Sequence, residues 1–108
     1  MGARLRELTG ARAARERADW PSAQAGYEAG ISAGPSGEAY EGLAAALFWQ
    51  NQVDGTFRAM ERAYVLFRQA GEPGRAAWAA LWLAGQYMRV KGNPAAARGW
   101  AARSGRLT

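Results

Sequence analysis

Apolar residues along the chain recur at the spacing of an α-helix. The clearest stretch places Phe57, Met60, Ala63, Tyr64 and Phe67 three or four residues apart, on one face of a helix. No run of β-branched residues alternates with polar ones, which is the pattern expected of a half-buried strand. The sequence therefore predicts an all-α protein.

Turn-forming residues divide this pattern into six helical segments. Asp19, Ser36 and Asp54 are of a type that caps helix N-termini, and Pro21 suits a first helical turn. "GEPG" at 71–74 and "GNP" at 92–94 mark two further boundaries, and in the second Asn93 is a candidate cap for the last helix. The predicted helices cover about residues 3–17, 21–33, 36–50, 54–70, 75–91 and 94–104. They form three antiparallel hairpins, about 3–34, 36–71 and 74–105, within one domain spanning 1–108.

Small and aromatic residues recur at fixed offsets from one hairpin to the next. The three sets are Ala23, Tyr27, Gly30 and Pro35; Tyr40, Leu43, Ala44, Leu47, Thr56 and Met60; and Leu83, Ala84, Tyr87, Ala96 and Trp100. This pattern resembles that of the tetratricopeptide repeat, in which small residues let two helices cross closely and an aromatic ring fills the space above. The resemblance implies a right-handed α-solenoid of three tetratricopeptide-like helical hairpins, stacked because one hairpin cannot bury both of its faces.

A second resemblance covers residues 42–107. The stretches "ERAYVLFRQAGEPGRAAW", "LWLAGQY" and "GNPAAARGW" are similar to the helical-repeat region of actinobacterial LuxR-type transcriptional regulators, and the varying helix length resembles the MalT-like branch of the superfamily. In that family such repeats precede a helix-turn-helix and serve as a sensing or interaction region. No DNA-reading module is present in these 108 residues, so the DNA-binding function does not carry over.

The composition argues against several classes of site. The chain has no Cys and no His, which removes disulfides, thiolate nucleophiles, the usual zinc ligands and the side chain that titrates near neutral pH. Neither GxGxxG nor GxxxxGK occurs. We expect no catalysis, no metal and no cofactor. The N-terminus has no apolar segment of signal-peptide length and no stretch approaches 18 apolar residues, so we expect a soluble cytoplasmic protein without membrane partners.

The net charge of +5 is unevenly distributed along the chain. Residues 18–57 contain five acids and no base, whereas residues 75–108 contain six bases and no acid. Six bases could meet phosphate, but these lie on two helices and lack the aromatic interleaving of an RNA-binding motif. A solvated face is the better interpretation, so we expect no direct nucleic-acid binding by this segment.

The candidate binding residues follow from the tetratricopeptide resemblance. In such arrays the first helix of each hairpin lines a concave groove. The positions transferred by spacing are Arg12, Arg15, Phe48, Trp49, Trp78, Trp82, Met88 and Arg89, with Glu38, Glu41, Ala45, Leu81 and Gly85 beside them. The basic set that clamps a peptide carboxylate in chaperone-binding members is missing. The competing interpretation is that the aromatic members are buried in the core, or covered by another hairpin or subunit; Trp20, Tyr27, Tyr64 and Trp100 are assigned to the core.

These observations predict a non-catalytic module that binds a protein or peptide, as the sensing or scaffold part of a transcriptional regulator. Two alternatives stay open: a self-associating structural module, and a small-molecule sensor that uses the aromatic groove. The C-terminal hairpin has no capping helix after it in this sequence, and acidic and basic segments of two chains could meet. We therefore also expect a homo-oligomer closed around that hairpin.

The repeat pattern makes a direct prediction about Ala23. Replacing Ala23 with Leu should lower the free energy of unfolding by roughly 1–3 kcal/mol, because a close helix crossing has no room for a larger side chain. Urea unfolding of both proteins measures the difference. A neutral substitution would show that Ala23 is not at such a crossing.

Overall fold

Six α-helices make up nearly all of the computed structural model, which describes residues 2–107. They are α1 (Gly2–Glu16), α2 (Trp20–Ala33), α3 (Gly37–Phe48), α4 (Val53–Gln69), α5 (Pro73–Arg89) and α6 (Pro94–Leu107). No strand occurs within this range. The predicted all-α architecture with six helices is confirmed. The predicted ends are off by at most about a turn: α3 stops at Phe48 and α5 starts at Pro73.

Side chains cap three of the helices where the sequence predicts it. The Asp19 carboxylate accepts a hydrogen bond from the Ser22 backbone N–H at 3.4 Å. Ser36 Oγ accepts one from the Ala39 N–H at 3.1 Å, and Asn93 Oδ1 accepts one from the Ala96 N–H at 3.0 Å. Each of these bonds satisfies a backbone donor that the first helical turn leaves without a partner.

The prediction that Asp54 caps α4 is wrong. The helix begins one residue earlier, at Val53, and its N-cap is Gln52, whose side chain makes no capping hydrogen bond. The Asp54 carboxylate lies in the first turn, where the helix dipole favours a negative charge, and accepts a hydrogen bond from Lys91 Nζ at 2.8 Å. Asp54 thus links the start of α4 to the segment that follows α5.

Four of the five connections between helices contain a residue with left-handed backbone conformation. Gly71 (φ 72°) and Gly92 (φ 57°) lie in the "GEPG" and "GNP" turns, where the absence of Cβ removes the usual steric cost. Ala18 (φ 58°) and Asn51 (φ 61°) take this conformation in the α1–α2 and α3–α4 connections. These tight reversals hold consecutive helices side by side.

The helices pack in the order in which they occur in the chain. The most extensive contacts join α1 with α2, α3 with α4, and α5 with α6; α2 also packs on α3, α4 on α5, and α1 touches α3. One core cluster lies among α1, α2 and α3, around Leu8 and Tyr27. The other lies among α3, α4 and α5, around Phe57, Met60 and Leu83.

Of the four aromatic residues assigned to the core, two are fully inside it. Tyr27 and Tyr64 are buried, as predicted. Trp20 and Trp100 are only partly buried and pack against the edges of the two clusters. The Trp100 ring meets Tyr64 edge-on with centroids 5.0 Å apart, and Arg103 lies over its face at 4.3 Å.

The interior is built mainly from small residues. Fourteen of the 21 buried apolar residues in the described range are alanines, and Ala23 is completely buried. At Gly26, an added Cβ would lie 2.8 Å from Ala11 Cβ, and at Gly42 it would overlap the Tyr27 ring. Cβ atoms in proteins essentially never lie within 3.0 Å of such a neighbouring atom. The helices therefore cross at distances that larger side chains do not permit.

The contact between Gly42 and Tyr27 gives a matched pair of substitutions. Gly42→Ala should lower the free energy of unfolding by roughly 1–3 kcal/mol, because the new methyl group overlaps a ring that is itself buried. Gly10→Ala, on the exposed side of α1 with nothing within 4 Å, should raise it by roughly 0.5–1 kcal/mol through helix propensity. Urea titration followed by circular dichroism distinguishes them. Equal effects of the two substitutions would mean that the crossing tolerates a wider separation.

Candidate functional site

A groove lies between α3 and α5, with α1 at its far wall. The depression has a volume of about 420 Å³. Its walls are Arg15 from α1, Glu38 and Glu41 from α3, Phe67 from α4, and Gly74, Arg75 and Trp78 from α5. We call this the charged groove. Helices α1, α3 and α5, the first of each hairpin, all contribute to it.

Two arginine–glutamate pairs join α1 to α3 along this groove. Arg15 Nη1 and Nη2 each donate to one oxygen of Glu41 at 3.0 Å, which makes the pair bidentate. Arg12 Nε and Nη2 donate to the two oxygens of Glu38, the second bond at 2.6 Å. Planar two-point pairs of this kind fix geometry as well as charge. Of the two predicted arginines, Arg15 lines the charged groove and Arg12 lines the neighbouring depression, and the donors of both are directed at glutamates of the same chain.

The electrostatics of these pairs follow from the hydrogen bonds. The bonds from Arg12 hold the pKa of the Glu38 carboxyl below its usual value of 4.5, with help from the charge of Arg75. The bonds to Glu38 in turn raise the pKa of the Arg12 guanidinium, and those to Glu41 raise the pKa of Arg15. Glu38, Arg12 and Arg15 therefore stay charged near neutral pH.

A second depression opens where the hairpin connections lie. It has a volume of about 330 Å³. Its walls are the aromatic residues Phe48, Trp49, Phe57 and Trp82, the aliphatic residues Val53 and Val90, and the polar residues Asn51, Thr56 and Gln86. We call it the aromatic pocket. It brings together three of the predicted site residues, from the end of α3 and the middle of α5.

The aromatic rings of the pocket contact one another edge to face. Phe48 meets Trp82 at 5.8 Å and 75°, and Trp49 at 5.3 Å and 88°. Trp49 also stacks on Trp20 at 6.1 Å. Such pairs orient rings beyond what simple burial would do. Trp49 nevertheless stays 63% exposed, so the cluster combines a fixed arrangement with access to solvent.

The remaining predicted residues lie apart from this pocket. Trp78 belongs to the charged groove. Met88, 54% exposed, lines a shallow depression between α5 and α6 together with Ala84 and Arg98. Arg89 is exposed on α5, with its guanidinium beside Gly85. The predicted single aromatic groove is thus divided among three neighbouring surfaces.

Sequence reasoning missed Gln86, the most unusual residue of the aromatic pocket. The residue is only 8% exposed, and within residues 2–107 its amide makes no hydrogen bond but is not shielded from solvent. The signal was present in the spacing. Gln86 lies three residues after Leu83 and seven after Ala79, both buried, so an apolar residue is expected there.

No protein-family model, curated protein or solved structure matches the chain. None of the helices in the described range has the length and apolar character needed to cross a membrane. Among residues 2–107, no three Asp or Glu side chains converge in a way that would hold a metal ion.

The Arg12–Glu38 pair should appear in the pH dependence of stability. Because the Glu38 pKa is depressed in the folded protein, its contribution is present above pH 4.5 and is lost as the pH falls through the folded-state pKa. Glu38→Gln should therefore flatten the decline of the unfolding free energy in acid. The change should be only about 0.2–1 kcal/mol, since solvent screens this half-exposed pair.

Urea unfolding between about pH 6 and pH 3 measures this slope. Glu7→Gln is the control, because Glu7 is exposed and no ion pair involves it in the described range. It should keep the wild-type slope. If Glu38→Gln kept that slope as well, the pair would be contributing nothing to stability.

Proposed function

We propose that this chain is a non-catalytic helical-repeat module of the tetratricopeptide type that binds an acidic, amphipathic segment of another protein. Three hairpins would stack as a right-handed α-solenoid. The sequential packing of α1 to α6 and the small-residue crossings support this arrangement. The absence of Cys and His supports a role in binding rather than in catalysis, as does the pairing of Glu38 and Glu41 with arginines.

The observation that carries the proposal is an apolar stripe on α5. Trp78, Leu81 and Met88 lie along one side of the helix and are 49%, 60% and 54% exposed. We call them the α5 stripe. Large apolar side chains exposed in a row typically mark an interface, and a row at helical spacing matches the apolar face of a helix laid along it.

The charge around the α5 stripe indicates the chemistry of the partner. No acid occurs between residues 73 and 107, whereas six bases do. Arg89 and Arg98, near the Met88 end of the stripe, have no carboxylate partner within the described residues. Acidic residues flanking an apolar strip would complement them, since opposite potentials steer association and set register.

A homodimer is the alternative occupant of the same surface. The expected attraction between the acidic segment of one chain and the basic segment of another is weakened by the pairs within the chain. Four of the five acids in residues 18–57 already have a basic partner: Asp19, Glu38, Glu41 and Asp54. The acidic segment therefore has little charge left to offer a second copy, and we favour a separate protein.

The regulatory setting rests on the likeness of residues 42–107 to the repeat region of LuxR-type regulators. A module that presents an exposed apolar stripe would suit the sensing or scaffold part of such a protein. A cytoplasmic location is part of the same proposal. The protein that supplies the acidic segment is to be identified by its chemistry: apolar residues three and four apart, with Glu or Asp on either side.

A synthetic peptide tests the proposal. The probe is a fluorescent helix of about 20 residues, long enough to be stable on binding, with Leu and Phe on one face and Glu on the other. We expect it to bind, and to lose affinity in high salt. Replacing both Trp78 and Leu81 with Ala should weaken binding at least about tenfold, because central apolar anchors dominate such interfaces.

Fluorescence anisotropy measures the affinity, and circular dichroism checks that each variant stays folded. Val65→Ala is the matched control, since Val65 is an exposed apolar residue on α4, away from the stripe. The proposal fails if the double variant binds as the wild type does, or if a scrambled peptide binds equally well. Sedimentation without peptide decides the alternative: a mass that rises with concentration, and no longer does so in the double variant, would favour the homodimer.

A further inference from the structure

We infer that the aromatic pocket is a binding site for a neutral, planar small molecule that carries an amide or carbonyl group. This site is distinct from the α5 stripe, and it does not depend on the peptide-binding proposal. It rests on the juxtaposition of two tryptophans and two phenylalanines with Gln86, a residue that is only 8% exposed and whose amide has no hydrogen-bond partner in the described range, yet is not shielded from solvent.

The Gln86 side chain is a polar group set into a largely apolar wall of the pocket. Gln86 is only 8% exposed, yet no side chain or backbone group within residues 2–107 bonds to its amide. Its polar atoms retain contact with the pocket, since no side-chain N or O atom that is fully shielded from solvent lacks a partner in the described range. The amide is therefore accessible at the pocket, where a ligand could bond to it in place of solvent.

The neighbouring polar residue of the pocket is already satisfied. Thr56 is 2% exposed, and its hydroxyl donates to the Gln52 carbonyl at 2.7 Å. Gln86 is thus the polar residue in the wall of the pocket whose amide N–H donors and carbonyl acceptor can hydrogen-bond to a ligand. A primary amide both donates and accepts, so its natural counterpart is a carbonyl or an amide of the ligand.

The residues that line the aromatic pocket favour a flat, uncharged ligand. None of the nine lining residues is charged. The nearest base, Lys91, lies over the Phe57 ring at 5.2 Å, but its charge is paired with Asp54. Behind Phe57, burial raises the pKa of Tyr87 to about 12, so this phenol is neutral, and its hydroxyl donates to Glu61 at 2.5 Å. A volume of about 330 Å³ is at the lower end of the range for drug-sized ligand sites.

Three ligands of the same shape separate the apolar and polar contributions to binding in the aromatic pocket. They are β-naphthamide, β-isopropylnaphthalene, which has the same outline without hydrogen bonds, and β-naphthoate, which is charged. Binding is followed by NMR through the tryptophan indole N–H signals of the ¹⁵N-labelled chain. We expect the naphthamide to shift the Trp49 and Trp82 signals while leaving Trp78 and Trp100 unchanged, and the naphthoate to bind more weakly.

The Gln86→Met variant tests the polar anchor. Met has a similar volume and no unpaired amide, so the protein should stay folded and become no less stable in urea. The ratio of naphthamide affinity to isopropylnaphthalene affinity should fall about tenfold, the loss expected for one buried hydrogen bond. Gln69→Met is the control, because Gln69 is exposed at the end of α4, and it should leave the ratio unchanged.

Trp49→Ala provides a second test that does not depend on the core. Trp49 is mostly exposed, so its removal should preserve the fold while weakening naphthamide and isopropylnaphthalene together. An unchanged affinity ratio in Gln86→Met would overturn the inference, as would indole shifts spread over all five tryptophans. Failure of naphthamide to bind at its solubility limit would overturn it as well.

Discussion

The close crossing of helices at small residues is the constraint on which the rest of this structure depends. Tyr27 lies where any side chain on Gly42 would be, and Ala11 occupies the space that a Cβ on Gly26 would need. An alanine-rich interior buries little area per residue, so the few large buried side chains must each fill a defined space. Tyr27, Met60 and Leu83, the largest of these that are almost completely buried, therefore set the separations between the hairpins.

Because small residues fill the interior, many of the large apolar side chains lie at the edges of the core. The helices are too close for tryptophan to enter between them, and the two tryptophans assigned to the core, Trp20 and Trp100, are only partly buried. Trp49, Trp78 and Trp82 instead line the open faces of α3 and α5. A fold that depends on small residues thus supplies its own candidate binding surfaces, because its aromatic residues are kept out of the crossings.

Local signals in the sequence were enough for the helices but not for the side-chain partners. Helical periodicity, the caps at Ser36 and Asn93, and the turns at Gly71 and Gly92 act over a few residues, so they predicted the six helices to within about a turn. The partner of Asp54 is Lys91, 37 residues away. No local pattern distinguishes a cap from an ion pair of that kind, and this is why the Asp54 assignment failed.

The candidate site was predictable in its residue types and not in its grouping. The tetratricopeptide resemblance, applied by spacing on α3 and α5, predicted Phe48, Trp49, Trp78 and Trp82 as lining residues, but their division between two depressions depends on how α5 packs against α4. Gln86 was missed because an isolated amide within a helix is ordinarily an exposed residue. Only the packing shows that it lies on a buried face.

Polar contacts between helices also determine where the charge of the protein is left uncompensated. Arg12 with Glu38 and Arg15 with Glu41 join α1 to α3, and Tyr87 with Glu61 joins α5 to α4, so polar contacts link each hairpin to the next. These pairs, and the one between Lys91 and Asp54, engage acids of α3 and α4. The α5–α6 hairpin contains no acid of its own, and four of its arginines have no carboxylate partner in the described range: Arg89, Arg98, Arg103 and Arg106. The unpaired positive charge therefore lies on the α5–α6 hairpin, and Arg98, which lines one depression with Met88, brings part of it to the α5 stripe.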